Sequence, residues 1–226
     1  MTASEMHISF KFGLDKLDSN NYPNFEDEEV DLLLNQAQDR YVKQRMGNNN
    51  AKRQSFEESE KRTDDLKNVL VNAILTPAAN TTENKPNGVF VTLPDTYWFA
   101  MNEDCAISYS DCHGATVSRI SKIRAIQHDD YNNIIEDPFN KPWKNEIVRL
   151  MENGKVELIS ESGQTITTYY LRYIKRPNRI SITTPTNCEL SEHTHQEIVD
   201  MAIQIALEGI EAKRQNTFDK IVNTNE

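Results

Sequence analysis

The chain has 226 residues, 37% of them apolar, with 35 Asp and Glu against 25 Lys and Arg for a formal charge of −10. That length suits one domain, or one domain with a sizeable subdomain, and an apolar content below the globular average predicts that part of the chain is extended or needs a partner. Three cysteines, a polar stretch after Met1 and only short apolar runs argue against a disulfide scaffold, a secretory leader and a membrane span, and the acidic balance argues against a surface that grips nucleic-acid phosphates all over.

Residues 1–25 contain the alternating stretch His7-Ile8-Ser9-Phe10-Lys11-Phe12 and then the polar residues Ser19, Asn20, Asn21 and Pro23. The pattern predicts an extended arm with one short strand. The acidic run Glu26-Asp27-Glu28-Glu29 suits the positive end of a helix dipole, and Val30, Leu33, Leu34, Ala37 and Tyr41 follow at helical spacing. Basic Arg40, Lys43 and Arg45, and then Gly47, close this first helix. A second helix is predicted from Ser55, with Glu58 as its capping-box partner, Leu66, Val69, Leu70, Ala73 and Ile74 on one face, and Pro77 at its end.

Residues 78–87 read as a loop, after which the period changes. Val89-Phe90-Val91, Tyr97-Trp98-Phe99 and residues 106–109 and 117–126 are β-branched or aromatic and predict strands. Residues 129–136 suit one or two helical turns. Residues 155–160 and 164–173 predict a hairpin around Glu161-Ser162-Gly163, with Thr165, Thr167, Tyr169, Leu171 and Tyr173 on one face and both faces apolar enough to be covered. Thr194 with Glu197, or else Ser191, caps a last helix whose wide apolar arc includes Ile198, Met201, Ala202 and Ile205. The tail beyond Lys213 keeps only Phe218, Ile221 and Val222 as large apolar residues, too few to fold alone.

The expected fold class is α+β: a helical bundle, made of two N-terminal helices and the long C-terminal one, with a β-rich insertion in the middle. Its segments are an arm over 1–25, a helical core over 26–87, the insertion over 88–182, the closing helix over 183–212 and a docking tail over 213–226.

Few constellations carry chemistry. Cys105 with Cys112-His113, and Cys188 with His193 and His195, lack the C-x2-4-C pairs of structural zinc and read as structural thiols and helix-flanking histidines. His128, Asp129 and Asp130 imitate the carboxylates of a metal-dependent nucleic-acid enzyme, the main rival reading, but paired aspartates before a short helix are usually caps. None of the 7 glycines falls in a phosphate-binding spacing. No catalytic, cofactor or metal residue is assigned, and the chain is expected not to be an enzyme. Two basic strips stand out on an acidic chain, Arg119, Lys122 and Arg124, and Arg172, Lys175, Arg176 and Arg179. They suit an acidic partner surface, or else blunt open strand edges.

Four passages carry a family resemblance: residues 26–45; residues 129–142 with Asp137-Pro138-Phe139-Asn140-Lys141-Pro142; Tyr170-Leu171-Arg172-Tyr173-Ile174-Lys175-Arg176-Pro177; and residues 188–200 with His195-Gln196-Glu197-Ile198-Val199-Asp200. In this order they resemble the ring or head-to-tail adaptor proteins of crAss-like tailed bacteriophages. The resemblance implies a structural virion protein of the neck or tail, assembled in the cytoplasm of the bacterial host. It implies a ring of twelve copies that connects the portal to the tail, meets neighbouring ring proteins, and passes double-stranded DNA without reading it. A lower tail ring or hub component is the alternative within the same class. Phe218, Ile221 and Val222 of the tail, Phe10 and Phe12 of the arm, and Arg172, Lys175 and Arg176 are the expected contacts to the portal or a ring neighbour.

Overall fold

The computed structural model describes residues 1–17, 25–47, 59–78 and 85–210. Ser55, Glu58, Phe218, Ile221 and Val222 lie outside them, as does the whole tail from 213 to 226. The chain is α+β with a β-rich middle, and it divides into two compact units: a helical unit of Met1–Val69 and Arg176–Glu226, and a sheet unit of Leu70–Lys175.

In the helical unit the arm expectation fails. Residues Ala3–Leu17 form a helix, α1. Ala3, Met6, His7, Phe10 and Leu14 are its buried residues, a 3.6-residue period, while Ile8 and Phe12, which suggested a strand, stay exposed. The next helix, α2 (Asp27–Met46), forms as expected, with a reciprocal capping box between Glu26 and Glu29 and Gly47 at its C-cap. Its buried stripe of Val30, Leu34, Ala37 and Tyr41 packs with α1 and with the last helix, α5 (His195–Ile210). A Cβ on Gly13 would meet the Cδ1 end of the Ile203 side chain, so α1 and α5 approach closely there.

A second face of α2 is polar and equally occupied. Asp31 accepts from the Ile182 N–H at 3.1 Å, Asn35 both donates to the Ile180 carbonyl at 2.8 Å and accepts from its N–H at 2.8 Å, and Gln38 donates to the Asn178 carbonyl at 3.0 Å. Three side chains spaced along one helix face thus pair the backbone of an extended segment, as a neighbouring strand would.

The predicted second helix is shorter than expected. Helix α3 (Glu60–Leu66) and a 3-10 turn at Lys67–Val69 are followed by a strand, β1 (Leu70–Leu75). Leu70, Ala73 and Ile74 therefore do not share a helix face; β1 pairs antiparallel along its whole length with β7 (Gln164–Lys175). The remaining strands are β2 (Gly88–Thr92), β3 (Tyr97–Ser110), β4 (Thr116–Ala125), β5 (Glu146–Glu152) and β6 (Lys155–Ile159). The seven lie in the order β1-β7-β3-β4-β5-β6-β2. Just past β1, Ala78 bridges Phe90 of β2, so backbone pairing ties the two sheet edges together at one end.

The predicted hairpin of 155–160 with 164–173 does not form: β6 pairs β5 and β2, and β7 pairs β1 and β3. The tight hairpin is β5–β6, turned at Asn153 (φ 42°) and Gly154 (φ 72°), the Asn-Gly pair that two-residue turns favour. The helical turn expected at 129–136 is α4 (Tyr131–Glu136), which lies in the parallel crossover from β4 to β5 and covers Leu150 and Ile159.

One sheet face holds the core of this unit, with Ile107, Leu158, Tyr169 and Leu171 all but sealed from solvent. An ion pair sits beside it: Arg149 Nε lies 2.5 Å from Glu103, which also accepts from the Tyr169 hydroxyl at 2.8 Å. The predicted face assignment of β7 breaks at Thr167. A bulge there, between the pairs Ala106–Thr168 and Ile107–Ile166, buries Ile166 on the same side as Tyr169 and leaves Thr165 and Thr167 exposed.

Candidate functional site

On the opposite face of the sheet unit, β1, β7, β3 and β4 present a row of directly opposed residues: Ile74 against Tyr170, Tyr170 against Asp104, and Asp104 against Lys122. In the adjacent row Asn72 opposes Arg172, which opposes Asn102. Ile120 of β4 stands opposite Ala106. Together they line an open hollow of about 320 Å³ that contains Asn72, Ile74, Asp104, Ile120, Tyr170 and Arg172. Its apolar members are unusually open to water, Ile74 at 74% and Ile120 at 66%, with Tyr170 at 37%. This face was expected to be covered and is not.

Strand chemistry explains the hollow. Leu70, Asn72 and Ile74 alternate outward while Val71, Ala73 and Leu75 pack against the core, and Tyr170 and Arg172 alternate outward between buried Tyr169, Leu171 and Tyr173. The arrangement can bind by shape, apolar area and charge. Separate apolar residues on a surface are ordinary, but three that converge around a concavity are not.

The expected contact residues fall in different places. Arg172 lines the hollow, whereas Lys175 ends β7 and Arg176 opens the next segment with its guanidinium 2.6 Å from Asp39. Phe10 is sealed in the helical unit and packs edge-on against Phe25 at 5.9 Å, so that ring faces its own core. Phe12 is exposed, at 59%, on the same side of α1 as Ile8, at 68%.

A buried electrostatic cluster was missed. Arg45 Nε lies 3.0 Å from Asp65 of α3, its Nη2 lies 2.5 Å from Glu197 of α5, and its guanidinium stands 4.8 Å over the Tyr41 ring. His193 adds a contact to Asp65 at 2.8 Å. The predicted Thr194–Glu197 capping box accordingly does not form: the Thr194 hydroxyl donates to the Ser191 carbonyl, the Glu197 carboxylate serves Arg45, and Ser191 Oγ donates to the Asp64 carbonyl. Burial pushes the Tyr41 phenol well above its ordinary range.

The residues of the enzyme reading, His128, Asp129 and Asp130, lie together just before α4. His128 Nε2 lies 2.8 Å from the Met151 carbonyl, and Asp130 precedes α4 without a side-chain cap bond. Cys105 lies in the sheet unit's core, Cys112 in the exposed β3–β4 turn and Cys188 in the helical unit, next to Gln38. Among the described residues no group of three His, Cys, Asp or Glu side chains is placed to hold a metal ion. Burial pushes the Cys105 thiol up to about 12 and the Cys188 thiol up to about 11, so both stay protonated near neutral pH. Brief alkylation of the folded chain at pH 8 is therefore expected to label Cys112 alone, with Cys105 and Cys188 reacting only in denaturant. Peptide mass mapping checks this, and early labelling of Cys105 would contradict the packed sheet.

The architecture is thus one of exposed surfaces on two packed units, with no helix among the described residues long and apolar enough to cross a membrane. The chain belongs to the phage tail ring protein 3/4 family, which matches residues 1–218. It is 27% identical to ring protein 4/5 of Bacteroides phage crAss001 over 91% of this chain and 92% of that one. It is 25% identical to ring protein 3 of the same phage, over 80% of this chain and 84% of that one. The resemblance to ring proteins of crAss-like phages is established by this match, and the chain is a phage virion ring protein.

Proposed function

We propose that the chain is a structural subunit of a ring in the neck or tail of a crAss-like phage particle, that twelve copies close the ring, and that the ring joins the portal to the tail around the DNA channel. The observation that carries this reading is the family match over residues 1–218, nearly the full length, by which both compact units belong to the ring protein fold. The ring needs no chemistry from the chain, and none is assigned: it acts by holding a fixed symmetry and an open lumen. A formal charge of −10 on each copy supports passage of DNA without adhesion, because an acidic wall repels phosphate. The family's description as tail ring proteins favours a position on the tail side of the stack, with the portal reached through neighbouring rings.

Quantitative mass spectrometry of purified particles tests the reading by scaling this chain against the portal protein. About one copy per portal subunit is expected for a ring that follows portal symmetry. Absence from the particle would overturn the structural role, and a ratio near one half would replace twelve copies by six.

A further inference from the structure

We propose that the hollow on the sheet unit receives α1 of a second copy of the same chain, and that this head-to-tail contact is the one that closes the ring. The inference rests on the ring reading above and adds the surfaces to it.

The sheet side has been described: Ile74, Ile120 and Tyr170 around a concavity of about 320 Å³ whose lining includes Arg172 and Asp104, with Lys122 opposite Asp104 on the same face, two cations to one acid. The helix side is its complement. Glu5, Ile8 and Phe12 follow one another at three and four residues along α1, so they form a single outward stripe, and both apolar members are exposed. That stripe is convex where the sheet is hollow. Its surroundings are acidic, with Glu5 on the stripe itself and the first turn of α2 beside it, where Asp27 is held against Lys11 of α1 at 2.9 Å and is followed by exposed Glu28 and Glu29. Carboxylates outnumber Lys11 around the apolar ridge, and Arg172 and Lys122 outnumber Asp104 around the apolar hollow, so the two surfaces carry opposite net charge.

The two surfaces are different parts of one chain, which decides what their pairing builds. A patch that meets its own copy closes a dimer and stops, whereas a surface that meets a different surface on the next copy propagates and closes only by rotation. A ring needs the second kind. The same pairing accounts for the exposed isoleucines: each is open to water in one chain and covered in the assembly.

Zero-length carbodiimide cross-linking of purified particles tests this without altering the chain, since it joins a lysine to a carboxylate only when they touch. Species of twice the chain's mass are separated from the monomer, digested and mapped. The expected result is Lys122 joined to Glu5, Asp27 or Glu28 in the double-mass species and not in the monomer. Double-mass species that carry other interchain links only would overturn the proposed surfaces while leaving the ring intact. Links from Lys122 to a different virion protein would overturn the choice of a second copy as occupant. A particle that lacks the chain altogether would remove the ring reading and this proposal together.

Discussion

Truncating Phe10 to alanine is expected to lower the unfolding free energy of the helical unit by about 3–5 kcal/mol, while Phe12→Ala, two residues on, changes it by less than about 0.5 kcal/mol. The two side chains are the same size and sit on the same helix, so the contrast isolates burial. Phe10 is sealed from solvent, meets Phe25 edge-on, and belongs to the stripe Ala3, Met6, Phe10 and Leu14 through which α1 packs. Deleting its ring removes the transfer free energy of six aromatic carbons and leaves a cavity that neighbouring helices fill only in part. Phe12 stands outside that stripe. Urea titrations followed by far-ultraviolet circular dichroism measure both variants against the parent. Equal, small losses would show that α1 is not docked on α2 and α5, and with it would fall the geometry on which the ridge of Ile8 and Phe12 depends.

The first two helices show why part of this fold was legible and part was not. Helix α2 announces itself three ways, by acids at its start, apolar residues at helical spacing and bases with glycine at its end, and the three agree. In α1 they conflict. Ile8, Phe10 and Phe12 alternate like a strand, Met6, Phe10 and Leu14 repeat like a helix, and only the tertiary partner decides which set is buried. β1 has the same ambiguity in a shorter form, since six mostly apolar residues satisfy either period and the pairing with β7 settles the matter. The β5–β6 turn was readable in principle: Asn153-Gly154 between apolar runs is a strong local hairpin cue, and the competing cue at Gly163 concealed it.

The candidate surface was less legible still, because it depends on strand order. Nothing local says that residue 74 will stand opposite residue 170, or that 170 will stand opposite 104, so the hollow exists only once β1-β7-β3-β4 are laid side by side. Ile120 did carry a trace: it is the lone apolar residue between Ser118 and Lys122 on the outward side of β4, where a polar side chain would be the ordinary choice. Arg172 was singled out for its charge, and the structure places it beside the apolar residues that composition alone did not connect to it.

Replacing Arg45 by methionine is expected to lower the unfolding free energy of the helical unit by about 3–5 kcal/mol, as loss of one partner from a buried ion cluster does. The guanidinium joins three segments that are remote in sequence, the end of α2, Asp65 in α3 and Glu197 in the first turn of α5. Methionine fills much of the volume, so packing is nearly retained and the cost is electrostatic. Asp65 is fully buried, and losing Arg45 removes its contact at 3.0 Å while the His193 contact at 2.8 Å stays. Adding Asp65→Leu to Arg45→Met should then recover part of the loss, by about 1–3 kcal/mol, because the second change removes the carboxylate that the first stranded. Urea titrations of the two single variants and the double variant supply the cycle. Additive losses would mean that Arg45 and Asp65 act independently, and a cost below about 1 kcal/mol for Arg45→Met would place the guanidinium in water, where exposed pairs of this kind contribute little. The cycle also separates two roles that one residue combines. In the last turn of α2 a cation favours the negative end of the dipole, worth about 0.3–1 kcal/mol, and any loss beyond that measures how far the cluster, and not the helix alone, holds α2, α3 and α5 in one arrangement.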